Sequence, residues 1–236
     1  MDLFEFSVLI IILAFLCEYV DSSIGMGYGT TLTPLLLVTG LSAAFFHHKL
    51  KNSNFKIGSN DFKIATVMAG CSLFGVLAAV FIALNLPVFY IKLYIGLLVF
   101  SMGVFILVSL NREYKFSWKK ITSIGLLAAF NKGISGGGYG PLVTGGQILS
   151  GVKLKSAIGI TSLAEGLTCL VGVITYFIFT NHTIEWNLAP SLVLGAILSV
   201  PLAAYTVKKF KGKHLKLIMG IATLILGLVT LGKLFL

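Results

Sequence analysis

Apolar runs of about 20 residues recur along the chain, and this recurrence limits its possible folds more than any other feature. Five runs are long enough to cross a bilayer as α-helices. They cover residues 64–86, 88–110, 156–179, 186–207 and 215–236. Charged residues make up only 11% of the chain, against about 25% in a soluble domain, which is too few to cover a water-facing surface. The sequence therefore predicts an all-α, polytopic membrane protein.

Two glycine-rich segments interrupt shorter apolar runs and resemble each other. Each contains the pattern Gly-x-Gly-Tyr-Gly, followed shortly by a proline, and the two are offset by 111 residues. The matching positions are Gly25, Gly27, Tyr28 and Gly29 in the first segment and Gly136, Gly138, Tyr139 and Gly140 in the second. Paired helix breaks of this kind are typical of transporters built from internal repeats. We predict a first transmembrane repeat over residues 1–111 and a second over 112–236, within one membrane domain.

Later matches have a larger offset. Lys92 and Gly96 match Lys216 and Gly220 at an offset of 124 residues. The first repeat is therefore predicted to be shortened by most of one helix. The missing or fused helix is expected between about residues 38 and 48, where the second repeat has the run 156–179.

Basic loops predict the orientation of the spans. Lysine and arginine concentrate in residues 49–63, 112–120, 153–155 and 208–216, which should be cytoplasmic. Asp2 and Glu5 fit an N-terminus outside the cell membrane, and the C-terminus falls on the same side. Residues 121–130 and 141–149 then form two half-helices that enter and return. Each repeat holds one re-entrant or broken half-helix pair plus about three spanning helices, and the two repeats are inverted.

Other function classes lack support in the sequence. The net charge of +10 could indicate a nucleic-acid partner, but the cations lie between apolar spans, where they act as topology signals. No histidine or acidic cluster has metal-ligand spacing, so neither a metal nor another cofactor is predicted. No nucleophile–base set is visible, so the chain is not predicted to be an enzyme. The expected partners are the lipid bilayer and a small anionic substrate.

The glycine breaks could bind that anion. A helix that begins after a break presents unpaired N–H groups and the positive end of its dipole, and glycine lets a ligand approach the backbone closely. The alternative is that the glycines only permit close helix packing and that nearby hydroxyls satisfy loose backbone groups. The candidate substrate-binding residues are Ser22, Ser23, Gly25, Gly27, Tyr28, Gly29, Thr30, Lys132, Ser135, Gly136, Gly137, Gly138, Tyr139, Gly140 and Gln147.

Three charged residues in or near apolar spans are further candidates, because a charge at mid-membrane costs a few kcal/mol. Asp21 and Lys132 occupy equivalent positions at the offset of 111 and could pair across the repeat interface. Lys132 could instead face the anion directly. Glu165 lies deep in the run 156–179, where a protonatable carboxylate suits proton coupling or, alternatively, a structural role. Glu165 and Asp21 are the predicted coupling residues.

The segments SSIGMGYGTTLTP and NKGISGGGYGP, together with the loop FFHHKLKN, resemble the sulfite exporter TauE/SafE family of membrane transporters. The resemblance covers nearly the whole chain. It implies an inverted-repeat, all-helical transporter of small sulfur-containing anions, such as sulfite or an organosulfonate such as sulfoacetate. The chain departs from the family pattern near residues 38–48, where the family has a longer helix.

Three functional hypotheses follow. The first is a secondary transporter of a sulfur-containing anion, coupled to protons or to the membrane potential. The second is a passive anion channel that uses the same half-helix dipoles, and uphill accumulation would distinguish the two. The third is a non-transporting membrane subunit, or a form that must assemble as a homodimer, because of the shortened first repeat. Flux through the purified chain alone would exclude the third.

Overall fold

A computed structural model describes residues 3–24, 33–83, 87–135, 139–179 and 189–234. Within these ranges the regular structure is entirely helical, which confirms the predicted all-α fold. The nine helices of the described residues are α1 (Leu3–Ile24), α2 (Thr33–Lys49), α3 (Asn60–Ala83), α4 (Val88–Val108), α5 (Trp118–Ser135), α6 (Tyr139–Leu149), α7 (Leu154–Phe179), α8 (Ala189–Lys209) and α9 (Gly212–Gly232).

The five predicted spans correspond to α3, α4, α7, α8 and α9, with ends that differ by a few residues. Three segments of the described chain are long and apolar enough to cross a membrane by length and composition, namely Phe89–Val108, Pro190–Lys209 and Gly212–Gly232. The apolar segment Ser7–Tyr19 is shorter. Large apolar side chains such as Phe105, Leu198 and Ile225 lie exposed on the outside of the bundle. Such a surface suits contact with lipid.

The predicted extent of one helix was wrong. α5 runs from Trp118 to Ser135, so Asn131 and Lys132 lie within the helix. With 18 residues, α5 is about 27 Å long, which is close to the hydrocarbon thickness of a bilayer. The predicted half-helix over residues 121–130 was therefore too short. Polar side chains do not end a helix when the bundle interior supplies their partners.

α6 is short, as predicted. Its 11 residues extend about 16 Å, and the side chains of Leu142, Val143 and Thr144 are fully or almost fully buried. The N–H of Ser117, next to the start of α5, donates to the carbonyl of Ser150, just after α6, at 3.1 Å. The α5–α6 pair therefore begins and ends at the same end of the bundle, which is the arrangement expected of a re-entrant pair.

Helices of the predicted first repeat pack against helices of the predicted second repeat. α1 packs along α8, where the Tyr19 hydroxyl lies 2.8 Å from Thr206 Oγ1, and α3 packs along α5. If α1 is equivalent to α5 and α3 is equivalent to α8, the α1–α8 contact and the α3–α5 contact are equivalent contacts in the two predicted repeats. α4 packs against α9, and α2 packs against α7. Two equivalent repeats would produce this pattern, although the repeat boundaries themselves stay a prediction.

The contact between α4 and α9 is symmetric at the level of single residues. A Cβ added to Gly103 would lie 2.6 Å from the backbone nitrogen of Leu224, and one added to Gly227 would lie 2.5 Å from that of Phe100. Gly103 and Gly227 are 124 residues apart, as Gly96 and Gly220 are. Glycine thus lets the two helices approach at equivalent places, as small residues do in membrane helix packing.

The contact between α2 and α7 indicates that these two helices are equivalent in the predicted repeats. Gly40 and Gly166 face each other where the helices cross, since a Cβ added to Gly40 would lie 3.0 Å from the backbone nitrogen of Gly166. Their offset of 126 residues is close to that of the later helices, so α2 corresponds to α7. A single helix runs through residues 38–48. α2 has 17 residues and α7 has 26, and the position of the shortened segment stays a prediction.

Candidate functional site

A line of buried side chains runs along one face of α7. Thr161, Glu165 and Cys169 are spaced four residues apart, which places them one above another on a helix. They are exposed by 1%, 5% and 2% respectively, and they extend over about 12 Å of the helix axis. This face of α7 is turned towards α5 and α6, which supply its polar partners.

Lys132 from α5 forms an ion pair with the centre of this line. Its Nζ lies 3.2 Å from Glu165 Oε1 and 4.0 Å from Cys169 Sγ. The side chains of Lys132 and Glu165 are only 10% and 7% exposed. Removing two charges from water is costly, and each charge of such a pair depends on the other. The position of a buried ion pair between two membrane helices marks a functional site.

Two side chains of α6 complete a hydrogen-bonded cluster around Thr161. Gln147 Nε2 donates to Thr161 Oγ1 at 3.0 Å, and the Thr144 hydroxyl lies 2.9 Å from the same oxygen. Thr161 donates its own proton to the carbonyl of Ala157 at 2.9 Å. Gln147 Oε1 is buried and has no hydrogen-bond partner among the residues that the structure describes. It therefore presents an acceptor to a water molecule or to a protonated oxygen of a ligand.

Replacing Thr161 with valine tests this cluster. The change keeps the shape of the side chain but leaves the Gln147 amide without its acceptor, so we expect the free energy of unfolding to fall by about 1–3 kcal/mol. Thermal unfolding in detergent would measure the change. Thr168→Val is the matched control, because the Thr168 hydroxyl donates to the carbonyl of Ala164 in its own helix and bonds no other helix in the described part of the chain. Equal effects of the two changes would contradict a role for Thr161 in joining the helices.

Comparisons with known proteins identify the family. The family model "Sulfite exporter TauE/SafE" matches residues 10–230. The chain belongs to the TauE/SafE family. It is also similar to the "Probable membrane transporter protein YtnM" of Bacillus subtilis (strain 168), with 26% identity over 230 residues, 87% of this chain and 76% of that protein. No solved structure matches the chain.

Membership of the TauE/SafE family confirms several predictions at once. The protein is a membrane transporter and not an enzyme, as the apolar spans and the missing nucleophile–base set indicated. The orientation of the termini, the repeat boundaries and the substrate are not tested by this membership, and they stay predictions.

The predicted site residues of this TauE/SafE protein fall into three groups. Lys132, Gly140, Gln147 and Glu165 are buried in the bundle, on α5, α6 and α7. The structure brings Lys132 and Glu165 together, although they were assigned to binding and coupling separately. Asp21, Ser22 and Ser23 lie on α1, Ser135 ends α5 and Tyr139 begins α6, all with side chains outside the described part. Gly25, Gly27, Tyr28, Gly29, Thr30, Gly136, Gly137 and Gly138 lie outside the described residues.

The predicted pairing of Lys132 with Asp21 stays a prediction, because nothing is described of the Asp21 side chain. The structure supplies another carboxylate for Lys132, namely Glu165. Sequence reasoning also missed Thr161 and Cys169 as members of the site. The signal that could have found them is the four-residue spacing that places both on the face of Glu165.

Proposed function

We propose that this TauE/SafE transporter moves a small sulfur-containing anion, such as sulfite or an organosulfonate such as sulfoacetate, together with a proton. The observation that carries the proposal is the buried Lys132–Glu165 pair, at 3.2 Å. A lysine ammonium inside a membrane bundle can bind an anion, and a neighbouring carboxylate can bind a proton. The two functions then share one pair of side chains.

The mechanism follows from competition for Lys132. Without substrate, the Glu165 carboxylate neutralises the ammonium. An entering anion competes with that carboxylate, and a second negative charge beside one ammonium would leave the buried site with a net charge of about −1, which is costly in a low dielectric. Uptake of one proton by Glu165 removes this excess. A singly charged anion, such as hydrogensulfite, and one proton therefore bind together without changing the net charge of the site, whereas sulfoacetate, with its sulfonate and carboxylate, brings one further negative charge.

The short helix α6 supports an anionic substrate independently. It begins at Tyr139, directly after the glycines of the second break, and Gly140 in its first turn is buried in the bundle. The N–H groups in the first turn of a helix have no partner within the helix and attract anions. The predicted use of a half-helix N-terminus for binding therefore agrees with the burial of this end of α6.

Replacing Glu165 with glutamine tests the coupling. Glutamine resembles the protonated acid, so the anion should reach Lys132 without a proton. In proteoliposomes loaded at neutral pH, we expect uptake of sulfite or sulfoacetate by the unchanged protein to rise with an imposed pH gradient. Uptake by Glu165→Gln should no longer respond to the pH gradient, but it should respond to an imposed membrane potential.

Ser162→Ala is the matched control for this experiment. Ser162 is the buried neighbour of Thr161 on α7, and its hydroxyl donates to the carbonyl of Ile158 in its own helix. If uptake by Glu165→Gln still depends on the pH gradient, Glu165 has a structural role and does not couple transport to protons. Flux that never accumulates substrate against its gradient, even in the unchanged protein, would favour the passive anion channel.

A further inference from the structure

A basic groove lies at the end of the bundle where α2 ends and α3, α7 and α9 begin. Its volume is about 880 Å³, which is within the range of pockets that bind small molecules. Five lysines and one carboxylate line it: Lys49, Lys51, Lys56, Lys153, Lys155 and Asp61. The groove is separate from the Lys132–Glu165 site, since Lys153 and Lys155 lie at the start of α7 and Glu165 lies about 16 Å further along that helix.

The positive charges of this groove outnumber its negative charges within the described chain. Asp61 Oδ2 accepts the backbone N–H of Asn54 at 2.8 Å and forms no ion pair with a described residue. Lys155 Nζ donates to the carbonyl of Lys208 at 2.5 Å. The other four lysines have no carboxylate within ion-pair distance in the described part. Five ammonium groups and a single carboxylate therefore line one cavity, and no ion pair joins them in the described part.

Lys51 is held in a backbone conformation that lysine rarely adopts. Its φ is +62°, in the left-handed region. It follows α2 in a Schellman turn, in which the N–H of Asn52 bonds the carbonyl of His47 at 2.9 Å and the N–H of Lys51 bonds that of His48 at 3.0 Å. Glycine is the usual residue at this position, because a Cβ there is unfavourable. A lysine at this position needs a reason other than the turn.

The turn after α6 supplies the comparison within the same chain. There the N–H of Val152 bonds the carbonyl of Gln147 at 2.9 Å, and the N–H of Gly151 bonds that of Ile148 at 3.0 Å. The geometry is the same, and the residue in the left-handed conformation is glycine, with a φ of +87°. The turn after α2 therefore accepts an unfavourable backbone and gains a positive charge at the edge of the groove.

We propose that this groove binds the phosphate group of an anionic phospholipid. α9, which begins at the groove, is long and apolar enough to cross a membrane, so the groove lies near the level of lipid headgroups. Basic pockets between membrane helices suit anionic headgroups, and each lysine near a membrane surface strengthens such binding about fivefold. If the lysines only determined the orientation of the spans, their number in the loop would be sufficient. That role does not explain why Lys51, which lines the cavity, has a left-handed backbone conformation.

The test uses the full chain in a neutral detergent. Thermal unfolding is followed during titration with phosphatidylglycerol, with phosphatidylcholine and, separately, with inorganic phosphate. We expect phosphatidylglycerol to raise the unfolding temperature more than phosphatidylcholine does. Lys51→Gly should unfold at the same or a higher temperature without lipid, because the strain is removed, but it should need about fivefold more phosphatidylglycerol for half of the shift.

Two more variants decide the result. Lys153→Gln removes a second groove lysine without touching the turn, so it keeps the test valid if Lys51→Gly folds poorly. Lys119→Gln removes an exposed lysine in the first turn of α5, outside the groove, and should behave as the unchanged protein. A response to inorganic phosphate that equals the lipid response would assign the groove to a soluble phosphate. Lipid responses of Lys51→Gly and Lys153→Gln that match the unchanged protein would overturn the proposal.

Discussion

Lys132→Met is expected to abolish transport and to destabilise the protein. The change leaves Glu165 buried without its cation, and breaking a buried ion pair from one side costs about 3–5 kcal/mol of unfolding free energy. The apparent affinity for the anion should weaken about 100-fold or more, because the buried charge that receives it is gone. Substrate uptake into proteoliposomes and thermal unfolding would measure the two effects separately.

The double change Lys132→Met with Glu165→Gln should recover stability but not transport. Removing both charges leaves no unpaired ion, so its unfolding free energy should lie closer to that of the unchanged protein than that of Lys132→Met does. Lys216→Met is the control, since Lys216 is also buried, but its Nζ bonds the carbonyl of Ser109 and not a carboxylate. Normal uptake by Lys132→Met would end the proposed role of the pair.

Gly227→Leu should give the second large effect, a loss of folded protein. A Cβ at this position would lie 2.5 Å from the backbone nitrogen of Phe100, so α4 and α9 must separate. Even Gly227→Ala should lower the unfolding free energy by about 1–3 kcal/mol, as overpacking does in other tightly packed sites. The yield of monodisperse protein after extraction, together with its unfolding temperature, would report both changes.

Gly70→Ala is the matched control for this experiment. Gly70 lies inside α3, and a Cβ added there meets no atom within 4 Å. Alanine also favours a helix over glycine by about 1 kcal/mol. Gly70→Ala should therefore be neutral or stabilising, in the opposite direction to Gly227→Ala. Equal behaviour of the two alanine variants would mean that α4 and α9 do not meet at these glycines.

The membrane spans could be predicted from sequence because apolar length is a local property. The helix α4, for example, was assigned within two residues at its end, since Pro87 and the basic loop limit it on both sides. Helix α5 was assigned too short because Asn131 and Lys132 were interpreted as part of a break. Polar residues signal a break only if they lack partners, and partners come from other helices.

The contacts of the site could not be predicted for the same reason. Lys132 and Glu165 are 33 residues apart, on helices separated by α6, and no local pattern relates them. The equivalence of Asp21 and Lys132 in the repeats favoured a different partner for the lysine. Only the reach of the Lys132 side chain from α5 to the polar face of α7 identifies Glu165 as the residue that the ammonium meets.

The hydrogen bond between Ser117 and Ser150 has a mechanical consequence. It fastens the α5–α6 hairpin at one end, where a Cβ on Gly151 would also lie 2.5 Å from the backbone nitrogen of Phe116. Lys132 lies about 21 Å along α5 from this closed end. α3 packs along α5, and a Cβ on Gly75 would lie 2.8 Å from the backbone nitrogen of Phe130, two residues before Lys132. The position of the ammonium is therefore determined from both ends of α5, by the hydrogen bond at its start and by the close approach of α3 near its end.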